Sequence, residues 1–80
     1  MAIRLVFLGR LEDAAGAVER LVTVTGSLAA IMAALDPDLV EVLSGERIKL
    51  ALNGTMVSDR SGLVLEDGDE LAFLPPVSGG

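Results

Sequence analysis

The 80-residue sequence has no cysteine, histidine, tryptophan or tyrosine, and phenylalanine occurs only twice. Without Cys or His there is no disulfide, no thiolate or imidazole metal site, no iron–sulfur cluster and no Ser-His or Cys-His nucleophile pair. Basic residues are also scarce, with 6 Lys and Arg against 12 Asp and Glu, for a formal net charge of −6. Such a charge disfavours nucleic acid and anionic membranes as partners, because both bind basic patches. The composition therefore excludes most catalytic chemistry and favours a basic protein partner.

Long hydrophobic runs are missing too. The longest stretch without a charge, 21–35, contains Thr, Gly and Ser and is shorter than the ~20 apolar residues that cross a bilayer. The first apolar segment ends at Arg10, too early for the hydrophobic region of a secretory signal. We therefore expect a cytoplasmic protein. Its length allows one domain with one small core, which we assign to 1–75, followed by an extended, flexible tail at 76–80.

The first part of the chain has the pattern of two strands. Ile3–Leu8 is a run of large apolar residues interrupted only by Arg4, which predicts a strand. Leu11–Ala15 can form one helical turn that Gly16 ends. The Val- and Thr-rich segment Val18–Thr25 predicts a second strand, but its alternation leaves two choices for the buried face. These choices are the set Val18, Val22 and Val24, or Leu21.

Two helices are predicted next. Ser27 is a good N-cap, and the apolar residues after it follow the i, i+3, i+4, i+7 spacing of an amphipathic helix. These residues are Leu28, Ile31, Met32 and Leu35. The alanines at 29, 30, 33 and 34 fit either a partner surface or simple helix propensity, and we take the second interpretation. Asp36-Pro37 then starts a short second helix through Leu43, closed by Gly45.

Strands and turns alternate in the rest of the chain. Segment 47–52 has apolar residues on one side at 48, 50 and 52, and Asn53-Gly54 after it favours a type I′ hairpin with 55–58 returning. Asp67-Gly68-Asp69 predicts a turn into a last strand, Glu70–Leu74, which Pro75-Pro76 ends. The carboxylates of this turn lack the spacing of a calcium-binding loop. The order of elements predicts an α+β fold.

The end of the sequence stands out. Segment 71–80 has no charged side chain, is stiffened by Pro75-Pro76 and finishes Val77-Ser78-Gly79-Gly80. Glycines are as thin as a chain can be, so a terminal carboxylate on them suits insertion into another protein's narrow channel. Proline also lowers the entropy lost when such a tail docks. The other interpretation, a frayed chain end, is equally compatible with the composition.

A second feature is an apolar surface on the predicted sheet. If the first and last strands are central neighbours, one face packs on the helix and the other carries Val6, Leu8, Ala72 and Leu74. Arg4, Arg47 and Lys49 would give this face a basic border. Exposed apolar patches with polar borders are typical of protein interfaces, although isolated exposed apolar residues are ordinary. Because the patch follows the strand that leads to the tail, we interpret it as an interface.

These motifs together resemble a known family. The element order, the Asn53-Gly54 turn, the turn at 65–70 and the ending 73–80 are similar to the MoaD/ThiS family of ubiquitin-like sulfur carriers, and within it to the small subunit of molybdopterin synthase. The resemblance covers the whole chain, and its terminal motif is the specific part. It implies a β-grasp fold: a mixed sheet of about five strands around one main helix plus a short helix, with the first and last strands as parallel central neighbours.

The resemblance implies a relay that uses the C-terminal carboxylate. An E1-like activating enzyme would use ATP to adenylate Gly80, and a sulfurtransferase would supply the sulfur that replaces AMP. The resulting thiocarboxylate would enter the large, catalytic subunit of molybdopterin synthase and donate sulfur to cyclic pyranopterin monophosphate, with two small subunits serving a dimer of large ones. No cofactor or metal bound to this chain is expected, and no catalysis by this chain alone.

Each expected site residue has a role in this relay. Gly80 would react, and Val77, Ser78 and Gly79 would form the inserted segment. The docking surface would consist of Val6, Leu8, Ala72, Leu74 and Pro75, with Arg4 and Lys49 bordering or steering the contact. Related carriers for thiamine (thiazole) synthesis or tRNA thiolation, and a ubiquitin-like modifier of lysines, would use the same carboxylate. A non-covalent β-grasp binding module remains a further alternative, and it would need no free terminus.

Overall fold

The strands form a five-stranded mixed sheet and a separate two-stranded sheet. The computed structural model describes residues 2–45 and 47–76. The strands are β1 (Ile3–Phe7), β2 (Glu19–Val22), β3 (Gly26–Ser27), β4 (Lys49–Leu52), β5 (Thr55–Met56), β6 (Val64–Leu65) and β7 (Glu70–Leu74). The helices are α1 (Leu11–Ala15), α2 (Leu28–Met32) and α3 (Pro37–Leu43), with a 3-10 turn at Arg60–Gly62. No helix within the described residues has the length and hydrophobicity needed to span a membrane.

The first and last strands are parallel neighbours in the middle of the large sheet. Its order is β2-β1-β7-β4-β5, and only the β1–β7 pairing is parallel. On the inner face, the rings of Phe7 and Phe73 are register partners and stack with centroids 5.6 Å apart. Both are fully buried, as are Ile3, Leu5 and Leu71. The expected central adjacency and the β-grasp arrangement are confirmed.

The helices cover this inner face with apolar side chains. Buried residues of α2, α3 and the segment between them are Ile31, Met32, Leu35, Leu39 and Leu43. The predicted N-cap is confirmed, since the Ser27 hydroxyl accepts from the Ala30 N–H at 3.2 Å.

The relative lengths of the two helices differ from the expectation. α2 ends at Met32 instead of reaching Leu35, and α3, with seven residues, is longer than α2 with five. Pro37 disfavours helical geometry at the residue before it, and Asp36 is extended with ψ of 141°. The α-helical ladder ends before this position, since the N–H groups of Ala34 and Leu35 bond to carbonyls three residues back, and Leu35 reaches the core from a bend.

The second strand is shorter than predicted, and its open register is resolved. β2 pairs only with β1, from Ile3↔Val22 to Val6↔Glu19. Val22 is 7% exposed and Leu21 is 66% exposed, so Val22 faces the core. Val18 and Val24 lie outside the strand and are exposed, although the Val18 carbonyl still accepts from the Phe7 N–H of β1 at 2.8 Å.

A side chain joins two turns that the sequence presented as separate. Asn53 has a φ of 50° and Gly54 a φ of 85°, as a type I′ turn requires. The Asn53 amide donates to an oxygen of Asp69 at 3.0 Å and accepts from the Glu70 N–H at 2.9 Å. Asp69 also accepts from the Glu66 N–H at 2.9 Å. Asn53 therefore fixes the start of β7 as well as its own hairpin.

The Asn53 bridge can be tested separately from the turn. Asn53→Gly keeps the positive φ but removes the side chain, so we expect unfolding free energy to fall by about 1 kcal/mol. In a double-mutant cycle with Asp69→Asn, measured by urea denaturation, the two losses should not add. Additive losses would mean that the bridge contributes nothing.

The same bridge predicts a pH dependence. The Glu66 N–H first, and then the Asn53 amide, donate to the Asp69 carboxylate and hold its pKa below the ordinary value. A carboxyl with a lowered native pKa stabilises the fold above its unfolded pKa of about 3.9, and this contribution is lost as pH falls through the native pKa. We therefore expect the stability difference between wild type and Asp69→Asn, from denaturant unfolding, to be constant above about pH 5 and to shrink as the pH falls below the unfolded pKa of about 3.9. A difference that stays constant through the acid range would contradict this assignment.

Candidate functional site

The outer face of the sheet carries a continuous apolar row across four strands. Val6, Ala72, Ala51 and Met56 are successive partners on β1, β7, β4 and β5. The row runs from half-buried Val6 to Met56, which is 56% exposed. The two central members are alanines, so their side chains are shorter than those of Val6 and Met56 at the two ends of the row. We call this row, together with Leu8 and Leu74, the outer apolar face.

The sequence-predicted docking residues come together on this face. Leu74 and Ala72 are half-buried on β7, and Leu8 is 39% exposed directly after β1. Ala51 and Met56 belong to the same surface but were not among the predicted residues. The alternation in 47–52 leaves Ala51 on the side opposite positions 48, 50 and 52, and the pairing of β4 with β7 places it on this face. Met56 lay in a segment with no clear alternation.

Two of the three predicted border cations, Arg4 and Lys49, have different surroundings. Arg4 forms an ion pair with Glu70, its register partner, and its Nε lies 3.9 Å from a carboxylate oxygen of Glu19. Lys49 is exposed beside its register partner Leu74, and no carboxylate of residues 2–45 or 47–76 forms an ion pair with it. The charge of Arg4 is therefore largely balanced within the chain, whereas that of Lys49 is available to a partner.

The base of the tail is seated on β1. The Leu8 N–H donates to the Phe73 carbonyl at 3.1 Å, which extends the ladder to the end of β7. Gly9 has a φ of +55°, and a Cβ there would lie 3.0 Å from Cγ of Pro75. Pro75, half-buried, thus packs where only glycine leaves room. The predicted reacting and inserted residues, Val77, Ser78, Gly79 and Gly80, lie outside the described residues.

A larger concavity lies on the helix side of the molecule. This open groove of about 870 Å³ is bordered by α2, α3 and the 3-10 turn. Arg60 is its one charged lining residue, and the guanidinium donates to the carbonyls of Gly45, at 3.2 Å, and Ile48. With no titratable acid or base lining it, this groove has no means of proton transfer.

Hydrogen bonds displace the pKa values of two carboxylates, Asp59 and Asp69. Hydrogen bonds from Ser61 lower the pKa of Asp59, as those from Glu66 and Asn53 lower that of Asp69. Both shifts move away from the near-neutral values that general acid–base catalysis needs. Among residues 2–45 and 47–76, no cluster of three or more carboxylates is arranged to hold a metal ion. The described part of the chain thus presents an exposed apolar face on the sheet and, next to it, the base of the tail.

Comparison with known proteins assigns the family. The family model described as ThiS family matches residues 5–80. The chain belongs to the ThiS family. It is thus a member of the ubiquitin-like ThiS/MoaD sulfur carriers, small proteins that are generally non-catalytic subunits. No curated protein matched the chain.

Solved structures of similar proteins span the whole ThiS-family chain. The crystal structure of SAMP1 from Haloferax volcanii is 29% identical with a TM-score of 0.76, and all of both chains is covered. A chain of the complex of subunits 1 and 2 of molybdopterin-converting factor from Helicobacter pylori is 28% identical with a TM-score of 0.72, again over all of both chains. The solution structure of the small archaeal modifier protein SAMP1 from Methanosarcina acetivorans is 25% identical with a TM-score of 0.77, covering 99% of this chain and 96% of that one. These likenesses agree with the β-grasp topology.

The packing of Pro75 against Gly9 predicts different outcomes for two glycine substitutions. Gly9→Ala and Gly16→Ala both place a side chain at positive φ, and each should cost about 1 kcal/mol in unfolding free energy. Only Gly9→Ala also clashes with Pro75, since a Cβ at Gly16 meets nothing within 4 Å. We expect faster native-state hydrogen exchange of the Leu8 amide in Gly9→Ala than in Gly16→Ala. Equal exchange in the two variants would show that the contact with Pro75 does not hold the tail base.

Proposed function

We propose that this protein is the sulfur-carrier small subunit of a molybdopterin synthase. One observation carries the proposal: β7 contributes the centre of the outer apolar face and continues directly into Pro75-Pro76. A partner that covers this face therefore receives the tail in a fixed direction. The likeness to a chain of the molybdopterin-converting factor complex supports this choice of partner.

The chemistry assigned to the chain is activation of its last carboxylate. A C-terminal carboxyl has a pKa of about 3.3–3.7, so at neutral pH it is an anion and a poor acyl donor. In the proposed first step a carboxylate oxygen of Gly80 attacks the α-phosphorus of ATP, and pyrophosphate leaves. A sulfurtransferase then supplies sulfur at the sulfide level, which attacks the acyl carbon, forms the acyl–sulfur bond and expels AMP. The product is a thiocarboxylate, an anionic and polarizable nucleophile.

Sulfur transfer then takes place in the partner. The thiocarboxylate sulfur attacks a carbon of cyclic pyranopterin monophosphate and displaces an oxygen substituent of that carbon, and hydrolysis of the acyl–sulfur bond then returns Gly80 to a carboxylate. Two such transfers supply the two sulfurs of the dithiolene. Docking on the outer apolar face holds the sulfur next to the bound substrate. The two groups then react within one complex and do not have to find each other in solution. Acid–base groups come from the activating enzyme and the large subunit.

The assembly that follows has three kinds of partner. An E1-like enzyme binds the ATP, a sulfurtransferase provides the sulfur, and the large subunit binds the pterin. Two copies of the small subunit serve a dimer of large subunits. The carrier itself needs no bound cofactor for this role.

A second candidate function is supported by the similarity to SAMP1. Two of the solved structures described above carry that name, and one is described as a small archaeal modifier protein. In this alternative the same activated carboxylate of Gly80 forms an amide with a lysine of another protein. The two functions differ in the acceptor and share the adenylation step, so analysis of the products separates them.

Carrier function predicts a specific change in mass. Incubation of the full chain with its E1-like enzyme, ATP and a sulfur donor should increase the intact mass by the difference between one sulfur and one oxygen. Fragmentation should place the exchange at Gly80. Deletion of Gly80 should prevent the exchange while circular dichroism shows an unchanged fold. A wild-type chain whose mass never changes would rule out the carrier assignment.

If a partner docks on the outer apolar face, a charge introduced within that face should weaken binding. Leu74→Glu should weaken binding to the co-purifying large subunit by at least about 30-fold, because a charge in an interface core loses its hydration. Val64→Glu is the matched control, since Val64 is 62% exposed on β6, outside this face. Titration calorimetry should show near wild-type affinity for the control. Equal affinities for both variants would place the interface elsewhere.

A further inference from the structure

The six cationic side chains divide into two groups by their partners. Within the described residues three are held by the chain itself: Arg4 by Glu70 and Glu19, Arg20 by the Ala15 carbonyl at 3.0 Å, and Arg60 by the Gly45 and Ile48 carbonyls. For Arg10, Arg47 and Lys49, residues 2–45 and 47–76 supply no side-chain hydrogen bond and no ion pair.

The three cations of the second group lie around the base of the tail. Arg10 and Arg47 line one groove of about 500 Å³ together with Pro76. Arg10 is the residue before α1, and Arg47 precedes β4, so the two arginines come from different parts of the chain. Lys49 lies opposite Leu74, two residues before Pro76. We call Arg10 and Arg47 the basic collar.

The collar is opposite in sign to the rest of the protein. With a net charge of −6, the surface as a whole repels anions. Two guanidinium groups on one groove, each without an internal carboxylate among the described residues, form a local site where an anion is favoured. The groove floor is apolar, with Leu11, Ala14 and Ile48 in its lining. An anion bound there is less screened by water than on an open surface.

We infer that the basic collar binds carboxylates of the E1-like activating enzyme, at the rim of the channel through which that enzyme receives the tail. This inference rests on the proposed function, because only an inserted tail brings a partner's rim over Pro76. The planar guanidinium fork matches carboxylate geometry, which makes arginine suited to such a contact. The partner is therefore acidic at this rim, whatever its charge elsewhere.

Geometry favours a protein carboxylate over the nucleotide attached during activation. The four residues after Pro76 span at most about 14 Å when extended. A tail inserted into a channel thus carries an adenylate on Gly80 away from the collar. The collar is left facing the rim around the channel entrance.

A collar of this kind acts mainly on the rate of encounter. Complementary charges raise association rates by 10-fold or more, and the gain falls with ionic strength. The test uses the E1-like adenylating enzyme of the same organism and follows ATP–pyrophosphate exchange driven by the full chain. We expect Arg10→Gln/Arg47→Gln to lower kcat/KM about 10-fold at low salt with kcat unchanged. The difference should vanish near 1 M salt, where the Debye length is about 3 Å.

A matched variant controls for net charge. Thr23→Glu/Ala34→Glu changes two exposed residues, and it alters the charge by −2, from −6 to −8, as the collar variant does. Thr23 directly follows Val22, the partner of Ile3, at the end of the sheet opposite the tail. We expect this control to stay within about twofold of wild type. Arg10 makes no side-chain cap on α1, so its replacement leaves that helix intact.

The possible results separate the two proposals. If wild type drives exchange but the collar variant matches the control at low salt, the collar inference is wrong and the carrier function stands. If wild type drives no exchange, both fail. Saturable binding of AMP to the chain alone, abolished in the collar variant, would assign the collar to a phosphate and overturn its assignment to protein carboxylates.

Discussion

The parallel pairing of β1 with β7 is the contact on which the rest of the molecule depends. It joins segments more than 60 residues apart and sets Phe7 against Phe73 on the inner face. Burial of each ring contributes about 1.5–3 kcal/mol, and their stacking adds about 0.5–1.5 kcal/mol. The same pairing places Val6 beside Ala72 on the outer face. One register therefore determines both the centre of the core and the centre of the docking surface.

The pairing also positions Pro75, at the base of the tail. The Leu8 N–H extends the ladder to the Phe73 carbonyl, and Gly9 leaves the space in which Pro75 packs. At the other end of β7, Asn53 and Asp69 hold the two turns from which the strand starts. The strand is thus fixed at both ends by contacts that use little of the core. This anchoring at both ends suits a carrier, because a carrier has to present its terminus to a partner.

The net charge of the protein does not show how its charges are distributed over the surface. The composition suggests a basic partner, since acidic residues outnumber basic ones by two to one. Yet the cations without an internal partner among the described residues gather where the tail leaves the fold. Arg4, which the sequence placed beside Lys49 as a steering charge, is instead bound to Glu70 and Glu19. Arg4 and Lys49 carry the same charge and were predicted to border the same face, but only Lys49 has no ion pair with a carboxylate of the described residues.

The sequence alone determined the elements whose causes are local. Alternation in 3–7 and 70–74, the Ser27 cap, Pro37 at the start of α3 and the positive φ of Asn53-Gly54 each depend on a few neighbouring residues. The terminal motif could likewise be recognised without a fold.

What only the tertiary structure decided depends on residues distant in sequence. The choice of Val22 over Leu21 follows from the register with β1, and Ala51 and Met56 join the outer face only through the pairing of β4 with β7 and β5. The collar forms because the fold brings Arg10 and Arg47 to the same groove as Pro76. No local sequence pattern predicts this arrangement.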